Sequence, residues 1–140
     1  MTGVKDVGQA LLSWNRQHLV AKGELTTAMI AEHFHPHLTV VANGRHYETD
    51  LAGYLQFLNG FRQTIASIDY DVMHKVSEEN KTVLCMRAKV LRVDGSLDQF
   101  EAMLLLEFND QKKITLWHEV YVAIKLVVLN KKWCYLLHFV

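Results

Sequence analysis

The sequence is poor in cysteine and has no excess of charge of either sign. Its two cysteines, Cys85 and Cys134, lack the CxxC spacing of metal and redox sites, so we expect reduced thiols and no disulfide. Fifteen Lys and Arg residues balance fifteen Asp and Glu residues, and the basic ones are scattered along the chain. A nucleic-acid partner is not expected, because phosphate backbones bind clustered basic residues.

A long uninterrupted apolar run is also missing. The most apolar stretch, residues 120–140, is broken by Lys125 and by the Asn-Lys-Lys triplet at 130–132. The pieces that remain are far shorter than the ~18 residues that a membrane helix needs. The N-terminal residues lack the continuous apolar segment and cleavage motif of a secretory signal. We therefore expect a cytoplasmic protein with no membrane contact.

The composition does provide enough apolar residues for a core. Half of the 140 residues are hydrophobic and 21% are charged, which is typical of globular proteins rather than disordered ones. A chain of this length fits one domain, since single domains cluster at ~100–150 residues. We predict a single domain over residues 1–140.

The first part of the chain has the periodicity of helices. One helix is predicted over about residues 5–22 and ends at Gly23. Its apolar stripe consists of Val7, Leu11, Trp14 and His18. A second helix is predicted from Glu24 to about Phe34, because Pro36 forbids its continuation.

A short strand and a third helix are expected next. The apolar run at 38–42 predicts the strand, and Asn-Gly-Arg at 43–45 predicts a turn. Thr49 is the expected N-cap of a helix that ends at about Ser67. The inner face of this helix would consist of Tyr54, Leu58, Phe61 and Ile65.

From Ile68 onward the hydrophobic period changes to two, which is typical of strands. Four segments show this period, at residues 68–76, 81–93, 96–108 and 113–122. Short polar turns separate them and predict an antiparallel meander. The order predicts an α+β fold in which three N-terminal helices pack on a curved, mainly antiparallel sheet. Residues 123–140 predict an extra C-terminal hairpin of two apolar strands around the Asn-Lys-Lys turn.

The order of these elements and the segment EFNDQKKITLWHEVYV resemble the nuclear-transport-factor-2-like superfamily. Its members include SnoaL-like cyclases, ketosteroid isomerases and limonene epoxide hydrolases. The resemblance covers about residues 5–122 and implies a cone-shaped α+β barrel with a pocket between sheet and helices. It also implies a homodimer formed through the outer sheet face. Residues 123–140 extend beyond the family pattern, and we expect them to pack at the dimer.

Two turns predict which side chains share a face of the sheet. A two-residue hairpin at Asp94-Gly95 would pair Arg87 with Ala102. A four-residue loop at 109–112 would pair Ala102 with Glu119. The predicted site is therefore a row in which Arg87 and Glu119 meet above the small Ala102 side chain.

The neighbours of this row are mostly apolar with a few polar groups, as in ligand pockets. The strands would contribute Lys89, Phe100, Leu104, Trp117 and Tyr121, and the helices would contribute Trp14 and Tyr54. The opposite face would carry Met86, Ala88, Val90, Met103, Leu105, Leu116, His118 and Val120. That face is too apolar to lie in water without a partner. The alternative interpretation makes it the core and leaves Arg87, Lys89 and Glu119 solvated.

The chemistry predicted for this row is proton transfer by Glu119, with Arg87 as its orienting or oxyanion-binding partner. An apolar wall raises the pKa of a carboxyl group, whereas a guanidinium lowers it. Limonene epoxide hydrolases have Arg-x-Asp and Trp-x-Asp where this chain has Arg87-x-Lys89 and Trp117-x-Glu119, so lysine replaces one of their two acids. That replacement argues against epoxide hydrolysis by the same acid pair.

The acids of ketosteroid isomerases align with Ala42 or Asn43 and with Leu104, and neither acid is present. We predict a SnoaL-like protein that binds a small apolar or partly polar organic molecule, with no cofactor. It would act as an isomerase, cyclase or hydrolase that uses Glu119 for proton transfer. The alternative is a non-catalytic homodimeric binding or scaffold module in which Glu119 and Arg87 form a structural pair.

Histidines are concentrated in EHFHPH, residues 32–37. Pro36 separates their directions, so no metal site is expected, and the rings are instead expected to complement the C-terminal dipole of the second helix. His46, between Arg45 and Tyr47, is expected in a solvated loop. The alternative is that this loop covers the mouth of the pocket.

Overall fold

Three helices and seven strands make up the part of the chain that the computed structural model describes, residues 6–129 and 132–137, with side chains for residues 6–124. The helices are α1 (Val7–His18), α2 (Thr27–Ala31) and α3 (Leu51–Arg62). The strands are β1 (Phe34–Ala42), β2 (Arg45–Thr49), β3 (Ile65–Glu78), β4 (Lys81–Arg92), β5 (Leu97–Phe108), β6 (Ile114–Leu129) and β7 (Lys132–Leu137). The predicted α+β class is confirmed. Within these residues, no helix is long and apolar enough to span a bilayer.

The strands form one curved sheet in the order β2-β1-β6-β5-β4-β3, and β7 pairs with β6 outside this path. All neighbours are antiparallel except β1 and β6, which are parallel. The predicted meander corresponds to β3 through β6. The parallel contact brings β1 beside β6, so the β1–β2 turn lies next to the middle of β6.

Each helix begins at a side chain that caps its free N–H groups. Asp6 accepts a hydrogen bond from the Gln9 N–H at 3.0 Å at the start of α1. Asp50 accepts one from the Gly53 N–H at 2.8 Å at the start of α3. The predicted cap, Thr49, is one residue too early because it is the last residue of β2.

The second helix is much shorter than predicted. It spans only Thr27–Ala31, and β1 already begins at Phe34, so Pro36 lies inside a strand. The described pairing of β1 skips residues 35–37, since it shifts register between Phe34 and Thr39. A proline is tolerated there because no ladder hydrogen bond needs its missing N–H.

The segment predicted as a loop around His46 is strand β2. Asn43 and Gly44 have φ angles of 48° and 83°, which are the two left-handed residues of a tight hairpin turn. Ala42 pairs with Arg45 directly after this turn, and the pairing continues to the end of β2. The loop prediction is wrong because the Asn-Gly pair joins two strands.

The hydrophobic core lies between the helices and the concave face of the sheet. Every second residue of β4, and of β5 from Ala102 onward, is buried there, and all but Thr82 are apolar. The apolar residues are Leu84, Met86, Ala88, Val90, Ala102, Leu104, Leu106 and Phe108. The stripe predicted for α1 buries Val7, Leu11 and Trp14 as expected, whereas Phe61 of α3 is 45% exposed.

The hairpin between β4 and β5 has a loop of three residues rather than two. Backbone hydrogen bonds close the loop around residues 93–95, and Gly95, with φ of 91°, supplies its left-handed residue. Arg87 consequently pairs with Glu101, not with Ala102. A slip of one residue turns every side chain of a strand to the other face, so the predicted faces of β4 are reversed.

The pairing of β5 with β6 differs from the prediction by two residues. Leu104 pairs with Glu119, where Trp117 was expected. The pairing shifts between Glu107 and Phe108, next to the loop. An even shift leaves each side chain on its predicted face, so the face predicted for Glu119 is correct.

The C-terminal hairpin continues the last strand of the meander. The second half of β6 pairs with β7 from Ile124 opposite Leu137 to Leu129 opposite Lys132. Two strands in this region were predicted, but the first is one piece with the strand that carries Glu119. The predicted turn at 130–131 and residues 138–140 lie outside the described residues.

Candidate functional site

Glu119 lies on the concave face of the sheet, toward the helices. Its cross-strand neighbours are the fully buried Leu104 on one side and Ala42 on the other. Its charge also reaches the Tyr54 side chain of α3. Because residues two apart in a strand share a face, Trp117 and Tyr121 flank Glu119 on the same side.

The Glu119 carboxyl group is held in apolar surroundings. Burial raises its pKa to about 7, and a hydrogen bond from the Trp117 side chain acts in the opposite direction. Among the described residues, no lysine or arginine contributes to this balance. Near neutral pH the group is therefore divided between its acid and base forms, which is the condition for giving and taking protons.

The buried Tyr54 and the partly buried Tyr70 lie within the electrostatic range of Glu119. Burial, reinforced by Tyr47 and then by the charge of Glu119, raises the pKa of Tyr54. Burial also raises the pKa of Tyr70, whose hydroxyl accepts a hydrogen bond from the buried Asn15 side chain at 3.2 Å. Both tyrosines stay protonated at neutral pH, so they can donate hydrogen bonds.

Hydrogen bonds from the β1–β2 turn fix the position of Glu119 relative to β1. The backbone N–H of Asn43 donates to the Glu119 carbonyl at 3.0 Å. The side-chain oxygen of Asn43 accepts a hydrogen bond from the Tyr121 N–H at 2.8 Å, and the side-chain nitrogen of Asn43 donates to the Tyr121 carbonyl at 3.2 Å. These three bonds attach the turn to residues 119–121 and hold the carboxyl-bearing segment in register.

Aromatic side chains line the interior around this carboxyl group. Phe100 and Tyr121 meet edge to face at 5.9 Å, and Phe34 packs against Tyr54 at 5.0 Å. Five aromatic residues of this region are only partly buried, namely Tyr47, Tyr70, Phe100, Trp117 and Tyr121. Each of these five side chains therefore keeps some contact with solvent.

Arg87 and Lys89 do not share this face. Arg87 pairs with Asp71 and Glu101, and Lys89 follows two residues later on the same convex side. The predicted row of Arg87, Ala102 and Glu119 is wrong, because the three-residue loop reverses the faces of β4. For the same reason Met86, Ala88 and Val90, predicted for the outer face, form part of the core.

Trp14 is separated from Glu119 by other aromatic rings. It packs against His18 at 4.9 Å and against Phe34 at 6.0 Å, and Phe34 in turn contacts Tyr54. Trp14 instead lines an open groove of about 590 Å³ beside α1. The other residues of this groove are Ala10, Ser13, Gln17, His18, Met29, Glu32 and His33.

His33 directly follows the C-cap of α2, as predicted, whereas His35 and His37 are not at a helix end. His35 and His37 lie in β1, where the His37 N–H donates to Nδ1 of His35 at 3.0 Å. The expected complement to the dipole of α2 is therefore wrong for these two rings. Within the described part of the chain, no three His, Cys, Asp or Glu side chains group as metal ligands.

Known proteins resemble this chain in fold and not in sequence. The sequence matches no protein-family profile and no curated protein. A protein of the nuclear-transport-factor-2-like type from Anabaena variabilis superposes with a TM-score of 0.67 at 17% identity, over 86% of this chain and 93% of the other. One of the same type and unknown function from Exiguobacterium gives 0.64 at 14% identity, over 84% and 98%.

An LEH-like epoxide hydrolase of M. tuberculosis also superposes, with a TM-score of 0.64 at 11% identity over 82% of this chain and 79% of the other. Similarity over nearly whole chains decides the architecture. This chain has the nuclear-transport-factor-2-like fold. At these identities the likeness shows the fold alone, so the chemistry of the chain depends on its own residues.

Several residues of this site are absent from the sequence prediction. The sequence prediction assigns the segment of Tyr47 to a loop, although Asn-Gly before an alternating segment is a strong hairpin signal. Tyr70 and Asn15 meet only through the packing of α1 on β3, which no local pattern indicates. Asn43 aligns with the position of a missing acid, and in the structure its side chain bonds the backbone of Tyr121 in β6.

Proposed function

We propose that the concave interior binds a small organic molecule and that Glu119 transfers protons on it. The observation that carries the proposal is a partly buried carboxyl group with a pKa of about 7 and no described cationic partner. Ionised Glu119 takes a proton from an acidic C–H group or from water. Protonated Glu119 then returns it to another atom of the same molecule or to the leaving oxygen.

The surrounding residues fit this role. Tyr54 and Tyr70 are protonated donors within range of the Glu119 charge, so they can stabilise a negative oxygen that forms during the reaction. Apolar walls keep the carboxyl group poorly hydrated. An isomerase, a cyclase or a hydrolase would use the same proton step, and we propose no further restriction by reaction type. Arg87 has no part in it, because it lies on the convex face.

The experiment measures proton transfer directly and does not require the natural substrate. The protein is incubated in D₂O with a panel of enolisable ketones and esters, and deuterium incorporation is followed by NMR. Glu119→Gln should lower the catalysed rate at least ~100-fold, because it removes the acid–base group. The rate should rise as pH increases through about 7, since only the ionised form accepts a proton.

The matched control is Glu101→Gln, which removes a carboxylate from the convex face of the neighbouring strand. It should retain the wild-type rate. Glu119→Gln should keep a melting temperature within a few degrees of wild type, because its neutral side chain is easier to bury. An unchanged rate in Glu119→Gln would exclude the catalytic role.

A specific observation favours a second candidate function, a homodimeric binding module. Met103 and Val120 are directly paired on the convex face and are 61% and 58% exposed. Paired apolar side chains in water indicate a covered surface. We propose a second copy as the cover, with the C-terminal hairpin beside it. The dimer and a catalytic interior are compatible, since they use opposite faces.

A further inference from the structure

Arg45 lies in one cross-strand row with an alanine and Glu119, which is the arrangement that the sequence predicts for Arg87. It pairs with Ala42 across the β1–β2 hairpin, and Ala42 pairs with Glu119 across β1 and β6. Directly paired residues lie on the same face of a sheet, so all three lie on the concave side. Two strand spacings separate the backbones of Arg45 and Glu119 by roughly 10 Å, with only a methyl group between them.

Arg45 differs from other arginines of the described chain. Arg16 and Arg92 hold carboxylates at 2.6 and 2.8 Å, and Arg62 donates to three backbone carbonyls. Arg45 is exposed, and within the described residues its guanidinium has no hydrogen bond or ion pair. The side chain that its charge affects is Tyr47, two residues further along the same face of β2.

Tyr47 is a second donor in the same place. Its hydroxyl oxygen is buried and has no hydrogen-bond partner in the described part of the chain. Burial raises the pKa of this hydroxyl, so it remains protonated and can donate. Tyr47 also lies within electrostatic range of Tyr121, which flanks Glu119. The strand register therefore places two donors, Arg45 and Tyr47, on the same concave face as the Glu119 carboxyl group.

We propose that Arg45 and Tyr47 bind the carboxylate of a small organic acid whose apolar body extends toward Glu119. A guanidinium matches a carboxylate through two parallel hydrogen bonds, and a tyrosine hydroxyl can donate a third. The aromatic walls suit an apolar body, and the spacing keeps the ligand charge away from Glu119. This inference names the ligand class of the proposed function and depends on that site.

The test compares two probes of nearly the same shape, 3-phenylpropanoate and its neutral amide 3-phenylpropanamide. Their affinities are measured by isothermal titration calorimetry at pH 7.5. The carboxylate should bind the wild-type protein about tenfold more tightly, because it forms charge-assisted hydrogen bonds. Arg45→Met should remove this preference and leave the affinity for the amide unchanged. Tyr47→Phe should reduce the preference about two- to threefold.

The matched control is Lys89→Met, which removes one positive charge from an exposed position on the convex face. It should keep the tenfold preference, whereas a general charge effect would reduce it as much as Arg45→Met does. Equal affinities in the wild-type protein, or a preference that survives in Arg45→Met, would overturn the proposal. Binding of neither probe would overturn it as well.

The outcome for the proposed function is read separately. Equal binding of both probes would leave the interior as a ligand site without a role for Arg45. The deuterium experiment on Glu119→Gln judges proton transfer whatever the charge preference is. Arg45 is exposed, so Arg45→Met should keep the wild-type melting temperature. A loss of the preference for the carboxylate probe would then reflect recognition rather than folding.

Discussion

The two faces of the sheet use the same strands and differ sharply in how they treat charge. On the convex face, Arg87 lies between Asp71 and Glu101, so opposite charges are neighbours. On the concave face, Glu119 lies among apolar and aromatic groups, and no described cation offsets its burial. Neighbouring opposite charges at a protein surface add little to stability. A carboxyl group kept apart from cations in an apolar interior has a pKa suited to proton transfer.

The largest difference between the faces should appear in stability. Leu104→Ala removes a fully buried side chain and should lower the free energy of unfolding by about 2–5 kcal/mol. Met103→Ala, at the adjacent position, truncates a side chain that is 61% exposed. It should change the free energy of unfolding of the monomer by less than about 0.5 kcal/mol. Urea unfolding of both variants measures this contrast. Similar losses would show that both faces are buried.

The next difference concerns pH. The pKa of Glu119 is about 7 in the folded protein and ordinarily 4.5 for a solvated glutamate, so the folded state binds more protons between these values. The contribution of Glu119 to stability should therefore be fully present below about pH 4.5 and be lost as pH rises through about 7. The total fall is on the order of 3 kcal/mol.

Urea unfolding at several pH values measures this fall. Glu119→Gln should remove it, whereas Glu101→Gln on the convex face should retain it. If the wild-type protein and Glu119→Gln lose the same stability between pH 5 and 8, the Glu119 carboxyl group is well solvated.

The smallest effect on the fold of one chain is expected from Val120→Lys. This residue is 58% exposed and neighbours Met103 on the convex face, so the substitution should change the unfolding free energy of a monomer by less than about 0.5 kcal/mol. If a second copy covers this face, the new charge should shift the protein to monomers. Light scattering after size exclusion measures the mass, with Lys89→Met as the control. A wild-type monomer would exclude the dimer.

Much of the fold could be predicted because its signals are local. The change of hydrophobic period at Ile68 indicates where the meander begins, and polar turns mark its strands. The second helix and β2 were predicted wrongly for local reasons too. Pro36 predicts a helix stop, but it lies in an unpaired stretch of β1. The Asn43-Gly44 turn leads into β2, where the sequence predicts a loop.

The candidate site could be predicted only in part. Asp94-Gly95 fits a two-residue hairpin and also a three-residue loop with glycine in its left-handed position. These two loops differ by one residue in register and place opposite sides of β4 against the helices. No feature of the dipeptide distinguishes them, so the position of Arg87 depended on the packing of buried residues such as Met86 and Ala88.

Alternation along β6 places Trp117, Glu119 and Tyr121 on one face in any register, because backbone pleating repeats every two residues. The order of residues along the chain is enough to determine that grouping. Which arginine shares the face depends on pairings between segments far apart in sequence. β1 lies parallel beside β6, so Arg45 and Ala42 come into line with Glu119 across a separation of more than 70 residues. Such a contact forms only when the whole sheet closes over its core.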